Sequence, residues 1–211
     1  MKTKEIPKIE VEHLLRKKFT LLLMVGSPSV LEKKDFQYLR VLVRLIDKSI
    51  TEYNEARHYS IKINEGDNQN LKYNFGLINN LENSINALNR VRKCWEKISK
   101  CSEDLYLSNF VPQKIKKYNF YNVRNRTEHI ADDILKEKVT GPLWTTVQNG
   151  EVKANYESLK IDELKKAIEE QHNIVLDVFN SLPNRMTNGV YYNNEKKISY
   201  PNLRNNNENK K

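Results

Sequence analysis

The sequence predicts an all-α protein, an up-and-down helical bundle with a β-hairpin insertion near residues 143–156. Two long stretches, 35–60 and 68–102, carry apolar residues at spacings of three and four, the mark of helices with one buried face. Punctuation is sparse, with only 6 Gly and 6 Pro in 211 residues, which leaves few tight turns. The exception is Asn149-Gly150 between alternating β-formers, the strongest short-range hairpin signal.

From the N-terminus, Lys8 to Val25 is apolar on several faces. It reads as a helix, or as a helix running into an extended piece, broken by Gly26-Ser27-Pro28-Ser29. Asp35 is expected to be the N-cap of the first long helix. Its buried stripe is Phe36, Leu39, Val43, Ile46, Ile50 and Tyr53, and it should end near His58 to Ile61, ahead of Asn64-Glu65-Gly66-Asp67. The second long helix follows Leu71, Phe75, Ile78, Leu81, Ile85, Leu88, Val91, Trp95, Ile98 and Cys101, a length of ~45 Å. Two such helices joined by a loop are the first half of an up-and-down bundle.

Leu105 to Pro112 is a break, with Val111 held away from helical geometry by the proline after it. A third helix is expected from Gln113 to Val139 on Ile115, Tyr118, Ile130, Ile134 and Val139, and Gly141-Pro142 stops it. The hairpin then joins Leu143–Gln148 to Glu151–Tyr156, either covering a site or capping the bundle. A last helix starts at Asp162, carries Leu164, Ile168, His172, Val175, Val178 and Phe179, and ends at Leu182-Pro183. Residues 1–183 thus form one helical domain, and 184–211 read as an Asn/Lys-rich flexible tail with a short strand at Val190-Tyr191-Tyr192.

The net charge of +9, from 36 Lys and Arg against 27 Asp and Glu, favours a polyanionic partner, most simply nucleic acid. The longest unbroken apolar run, Leu21 to Val25, is far short of the ~20 residues of a membrane span. Glu5, Glu10 and Glu12 precede it where a signal peptide would be basic, so a cytoplasmic protein without membrane attachment is expected. Cys94 and Cys101 share a helix face ~10.5 Å apart along the axis, beyond disulfide reach, and both are assigned to the core. No Gly-rich phosphate loop, H-E-x-x-H or G-x-S-x-G motif occurs, and no cofactor is expected. Asp132 and Asp133 point to different faces of a helix, which does not make the carboxylate cluster of a metal-dependent nuclease.

The strongest chemical signal is Arg124-Asn125-Arg126-Thr127-Glu128-His129. Arginine binds phosphate with a planar fork, and histidine moves protons near neutral pH. Asn125 and His129, four apart, share one helical face. Arg124 and His129 stand about 140° apart around the axis, a gap that the long arginine side chain can partly close. Just ahead lie Lys114, Lys116, Lys117, Tyr118, Phe120 and Tyr121. Of these, Lys114, Lys116, Lys117 and Tyr121, together with Arg126, are the candidate RNA contacts: cations for phosphate and a ring to stack on a base.

This pattern resembles the R-x4-6-H signature of the HEPN superfamily, in the form with asparagine after the arginine. The resemblance covers residues 35 to 180 as an arrangement of helices and six residues as a motif. It implies a HEPN-type bundle with the signature on a helix that follows the long pair. It further implies a homodimer whose two signatures share a cleft, and metal-independent cleavage of RNA by 2′-OH attack. In that reading His129 is general base or acid, Arg124 neutralises charge growing on the phosphoryl oxygens, and Asn125 orients the phosphate or the arginine. Products carry 2′,3′-cyclic phosphate and 5′-OH ends, and DNA is inert. The tyrosine two positions after the histidine in one toxin subgroup is replaced by Ala131, so regulation by nucleotide transfer to it is not expected. A toxin or a phage- or stress-defence effector, with an antitoxin or regulatory partner, is the setting that the family implies.

The same residues also fit a solvated helix face, Arg124 pairing with Glu128 and His129 with Asp132 or Asp133. Two other functions therefore stand beside the ribonuclease: a non-catalytic HEPN-like module binding RNA, a nucleotide or a protein partner, and a structural helical interaction protein. Cleavage lost at His129 selects the first, and binding without cleavage selects the second.

Overall fold

The computed structural model describes residues 5–11, 14–24, 31–67, 71–101, 105–112, 122–123, 145–154, 157–187, 190–193 and 196–199. An extended segment, 5–11, leads into helix α1 (Leu15–Met24), followed by the long helices α2 (Lys33–Lys62) and α3 (Leu71–Lys100). Tyr38 meets Cys101, Ser49 meets Ser84 and Tyr59 meets Gly76, so α3 returns antiparallel along most of α2. Leu39, Leu42, Val43, Ile46, Ile50 and Tyr53 of α2 face Leu77, Leu81, Ile85, Leu88, Val91, Trp95 and Ile98 of α3 in the core. Each such side chain contributes about 1.5–3 kcal/mol on burial, which is why the apolar spacing sets the register of the pair. The helices close on each other at Ser49 and Ser84, where each hydroxyl donates to the other residue's carbonyl, at 3.1 and 3.0 Å.

The expected stripe on α3 outruns the core at both ends. Leu71 and Phe75 are 69% and 51% exposed, and Cys101, which the sequence assigned to the core, is exposed one residue beyond α3. Only Cys94 of the two thiols is buried. At the turn between the helices, α2 passes into a wider π-type turn, Ile63–Asp67, where Gly66 takes φ 116°, a left-handed geometry that suits glycine.

Two further expectations are corrected by buried carboxylates. Asp35 is not the N-cap of α2. That position belongs to Glu32, which makes no side-chain cap bond. Asp35, 1% exposed, instead accepts the N–H groups of Tyr106 and Leu107 at 3.0 Å each, capping the short 3-10 helix Tyr106–Phe110. The N-terminal stretch reverses the expected order, with the extended part first. Ile6 and Ile9 are buried, and Tyr53 donates its hydroxyl to the Pro7 carbonyl at 3.0 Å. Helix α1 begins where Asp47 of α2 accepts the N–H groups of Leu15 and Arg16, at 2.8 Å each. A helix start leaves such donors without partners of its own, and here another element supplies the acceptor.

The hairpin forms as expected: β1 (Thr146–Gln148) and β2 (Glu151–Ala154) are antiparallel around Asn149 and Gly150, at φ 52° and 78°. Two positive φ values in succession are the geometry that makes Asn-Gly a hairpin turn. A third strand, β3 (Glu157–Lys160), pairs with β2 and was not expected. Val147, Val152 and Leu159 line up across this sheet and pack on the helices. Helix α4 (Ile161–Thr187) follows at once, its first N–H bonded to the Gly150 carbonyl at 2.9 Å. The expected stripe Leu164, Ile168, His172, Val175, Val178 and Phe179 is buried, and Gln171 beside it accepts from the Trp95 indole N–H at 2.7 Å.

Helix α4 does not stop at Leu182-Pro183 but continues to Thr187. Proline removes the N–H that would bond one turn back and disfavours helical geometry in the residue before it, a local signal that the helix here overrides. The short strand expected at Val190 to Tyr192 is present as β4 (Val190–Asn193) and pairs with β5 (Lys196–Ser199). The result is a mostly helical fold with a small antiparallel sheet, and none of the described helices is long and apolar enough to cross a membrane.

Candidate functional site

The sequence concentrates its chemistry in Arg124, Asn125 and His129, with Lys114, Lys116, Lys117, Tyr121 and Arg126 as RNA contacts. All eight lie outside the described residues, as does His13. The expected third helix, Gln113 to Val139, is described only at Asn122 and Val123, where the backbone is helical. These two residues adjoin the motif directly. Val123 is 1% exposed and belongs to the main core. Asn122 is exposed and its amide donates to the Glu157 carboxylate of β3 at 3.4 Å.

On the far side of the motif the described chain resumes at Thr145, itself buried. Its hydroxyl donates to the Glu82 carboxylate of α3. Glu82 and Glu157 are therefore two attachment points for the chain on either side of the motif. Neither stood out in the sequence, because each is one more acid on a polar surface and its partner is remote along the chain.

Among the described histidines, His58 is exposed near the end of α2, its ring edge-on to Tyr59 at 6.0 Å. His172 is buried on α4 and reaches a cleft of about 280 Å³ beside the N-terminal segment and α1. Asp47 lies close enough for its charge to be felt there. Burial pushes the Asp47 carboxyl above its ordinary range, opposed by the N–H groups of Arg16 and Leu15 and the charges of Arg16 and His172. Both Asp47 oxygens already hold N–H groups of α1, so this carboxylate anchors a helix, and it does not line the cleft.

The Cys94 thiol is pushed up to about 11 by burial, with Lys97 opposing, which leaves almost no thiolate at neutral pH. Among the described residues no group of three or more His, Cys, Asp or Glu side chains converges as a metal site would. No known family model matches the chain, no curated protein matches it, and no solved structure matches it.

Proposed function

We propose that this protein is a HEPN-like, metal-independent endoribonuclease that cleaves RNA by attack of the ribose 2′-OH on the adjacent phosphorus. One observation carries the reading: Arg124-Asn125-x3-His129, an arginine, an adjacent amide and a histidine with its helix-compatible spacing. The antiparallel pair α2 and α3 ahead of it, and the net charge of +9, support the same reading.

In this mechanism His129 moves the proton of the 2′-OH or of the leaving 5′-oxygen, a task suited to histidine as a residue type that gains and loses a proton near neutral pH. Arg124 offsets the charge that grows on the phosphoryl oxygens. Asn125 orients the phosphate or the arginine, and Lys114, Lys116, Lys117, Tyr121 and Arg126 hold the strand. Two copies of the chain contribute signatures to one cleft, and the product ends are 2′,3′-cyclic phosphate and 5′-OH. A role as a toxin or defence effector, held in check by an antitoxin or regulator, follows from the family likeness.

The test is incubation of wild type and His129→Ala with total RNA and a synthetic single strand, in EDTA. Cleavage by the wild type alone, leaving cyclic phosphate ends, is the expected result. Equal cleavage by both proteins would remove His129 from the mechanism. RNA binding without cleavage would favour the non-catalytic HEPN-like module.

A further inference from the structure

One face of α2 carries charge that neither the core nor the motif employs. Between Lys33 and Lys48 the exposed positions are Lys33, Lys34, Gln37, Arg40, Val41, Arg44 and Lys48, five of them cationic. The two acids of the same stretch, Asp35 and Asp47, are 1% and 6% exposed. Each holds two backbone N–H groups of another element. Among the described residues, the ion pairs involve none of the five cations. Helix α1, packed beside α2, adds exposed Arg16 and Lys17 and contains no acid. Capping thus draws the negative charge of this half of α2 inward and leaves the positive charge outside.

Arg40, Arg44 and Lys48 recur every four residues and form one row, with ~6 Å of helix axis between neighbours. A single row of cations suits a linear polyanion, because successive side chains can meet successive phosphates of one strand. A membrane surface fits less well: interfacial helices bury a broad apolar face in the bilayer, and between Lys33 and Lys48 the strip exposes Val41 as its one apolar side chain, the exposed Leu21, Leu23 and Met24 lying on α1. We infer that this strip of α2 is a track for the sugar–phosphate backbone of single-stranded nucleic acid, indifferent to base sequence. The inference does not depend on cleavage at His129.

The experiment measures binding of a labelled 2′-O-methyl oligonucleotide, which has no free 2′-OH and so separates binding from cleavage. The proteins are the wild type, Arg40→Gln/Arg44→Gln/Lys48→Gln, and Lys93→Gln/Lys97→Gln/Lys100→Gln, which removes equal charge from exposed positions of α3. The α2 triple is expected to bind at least about tenfold more weakly at low salt. Its plot of log affinity against log salt should be shallower by about 2, the release of three counterions from a single strand. The α3 triple is expected to stay near the wild type. Equal weakening in both triples would reduce the effect to net charge and overturn the inference. So would an α2 triple that binds as the wild type does, no binding by the wild type, or α2-dependent capture by phosphatidylserine vesicles with oligonucleotide binding unchanged.

Discussion

Ser49 and Ser84 face each other at the crossing of α2 and α3 with their hydroxyl oxygens 3.0 Å apart, each bonded to the other's backbone carbonyl. A buried hydroxyl needs a partner, and this reciprocal pair satisfies both while keeping the helices close. Ser84→Ala should cost about 1 kcal/mol, the net worth of one such bond. Ser84→Leu should cost about 1–3 kcal/mol, because the added methylenes must push the helices apart. Urea unfolding measures both, and a Ser84→Leu variant as stable as wild type would show that the crossing has room to spare.

Gly76 and Tyr59 test the same helix pair by a change of sign. A Cβ built on Gly76 would stand 2.8 Å from the Tyr59 ring, so the ring must move aside for any larger residue. Mid-helix alanine is otherwise favoured over glycine by about 1 kcal/mol. Gly76→Ala should therefore destabilise the wild type yet stabilise a Tyr59→Ala background. Thermal unfolding of the four proteins in the cycle gives the answer, and the same sign in both backgrounds would mean that the ring yields at no cost.

Asp47 should leave a signature in pH. Burial raises its carboxyl above the ordinary range, and the opposing N–H groups and charges do not cancel that. A carboxyl raised in the folded state favours folding most fully below its unfolded value, and that contribution is lost as pH rises through the folded value. Compared with Asp47→Asn, the wild type should gain relative stability as pH falls from about 7 to about 4. Urea midpoints of both proteins across that interval read the difference. A gap that moves the other way would show that the two N–H groups stabilise the anion more than burial penalises it.

The long helices and the hairpin were legible because their signals are local and repeated. The apolar stripe of α2 recurs turn after turn from Phe36 to Tyr53, and Asn149-Gly150 dictates its own turn. What escaped the sequence depends on partners remote in the chain. Asp35 looks like a cap for the helix it sits in, and only the fold reveals that it caps the turn at Tyr106. Strand β3 has a single buried residue, Leu159, among polar neighbours, and an alternation that short is invisible without the strand it pairs with. Leu71, Phe75 and Cys101 continue the apolar period past the ends of the core, since periodicity marks a face but not where its partner stops. The motif was the most legible chemistry of all, and the residues that form it lie outside the described part of the chain.

Asn122 is tied to Glu157 of β3, Glu157 pairs with Ala154 of β2, and the register extended by one residue brings Thr145 level with Ala154. The described chain therefore stops at Val123 and resumes at Thr145 beside the two opposite edges, β3 and β1, of one three-stranded sheet. The two flanks of the stretch bearing Arg124, Asn125 and His129 thus refer to one sheet, the first through Glu157 of β3 and the second through the strand that Thr145 leads into. The sheet is therefore a common frame for both flanks of the motif, and a slip in its register would displace one flank against the other.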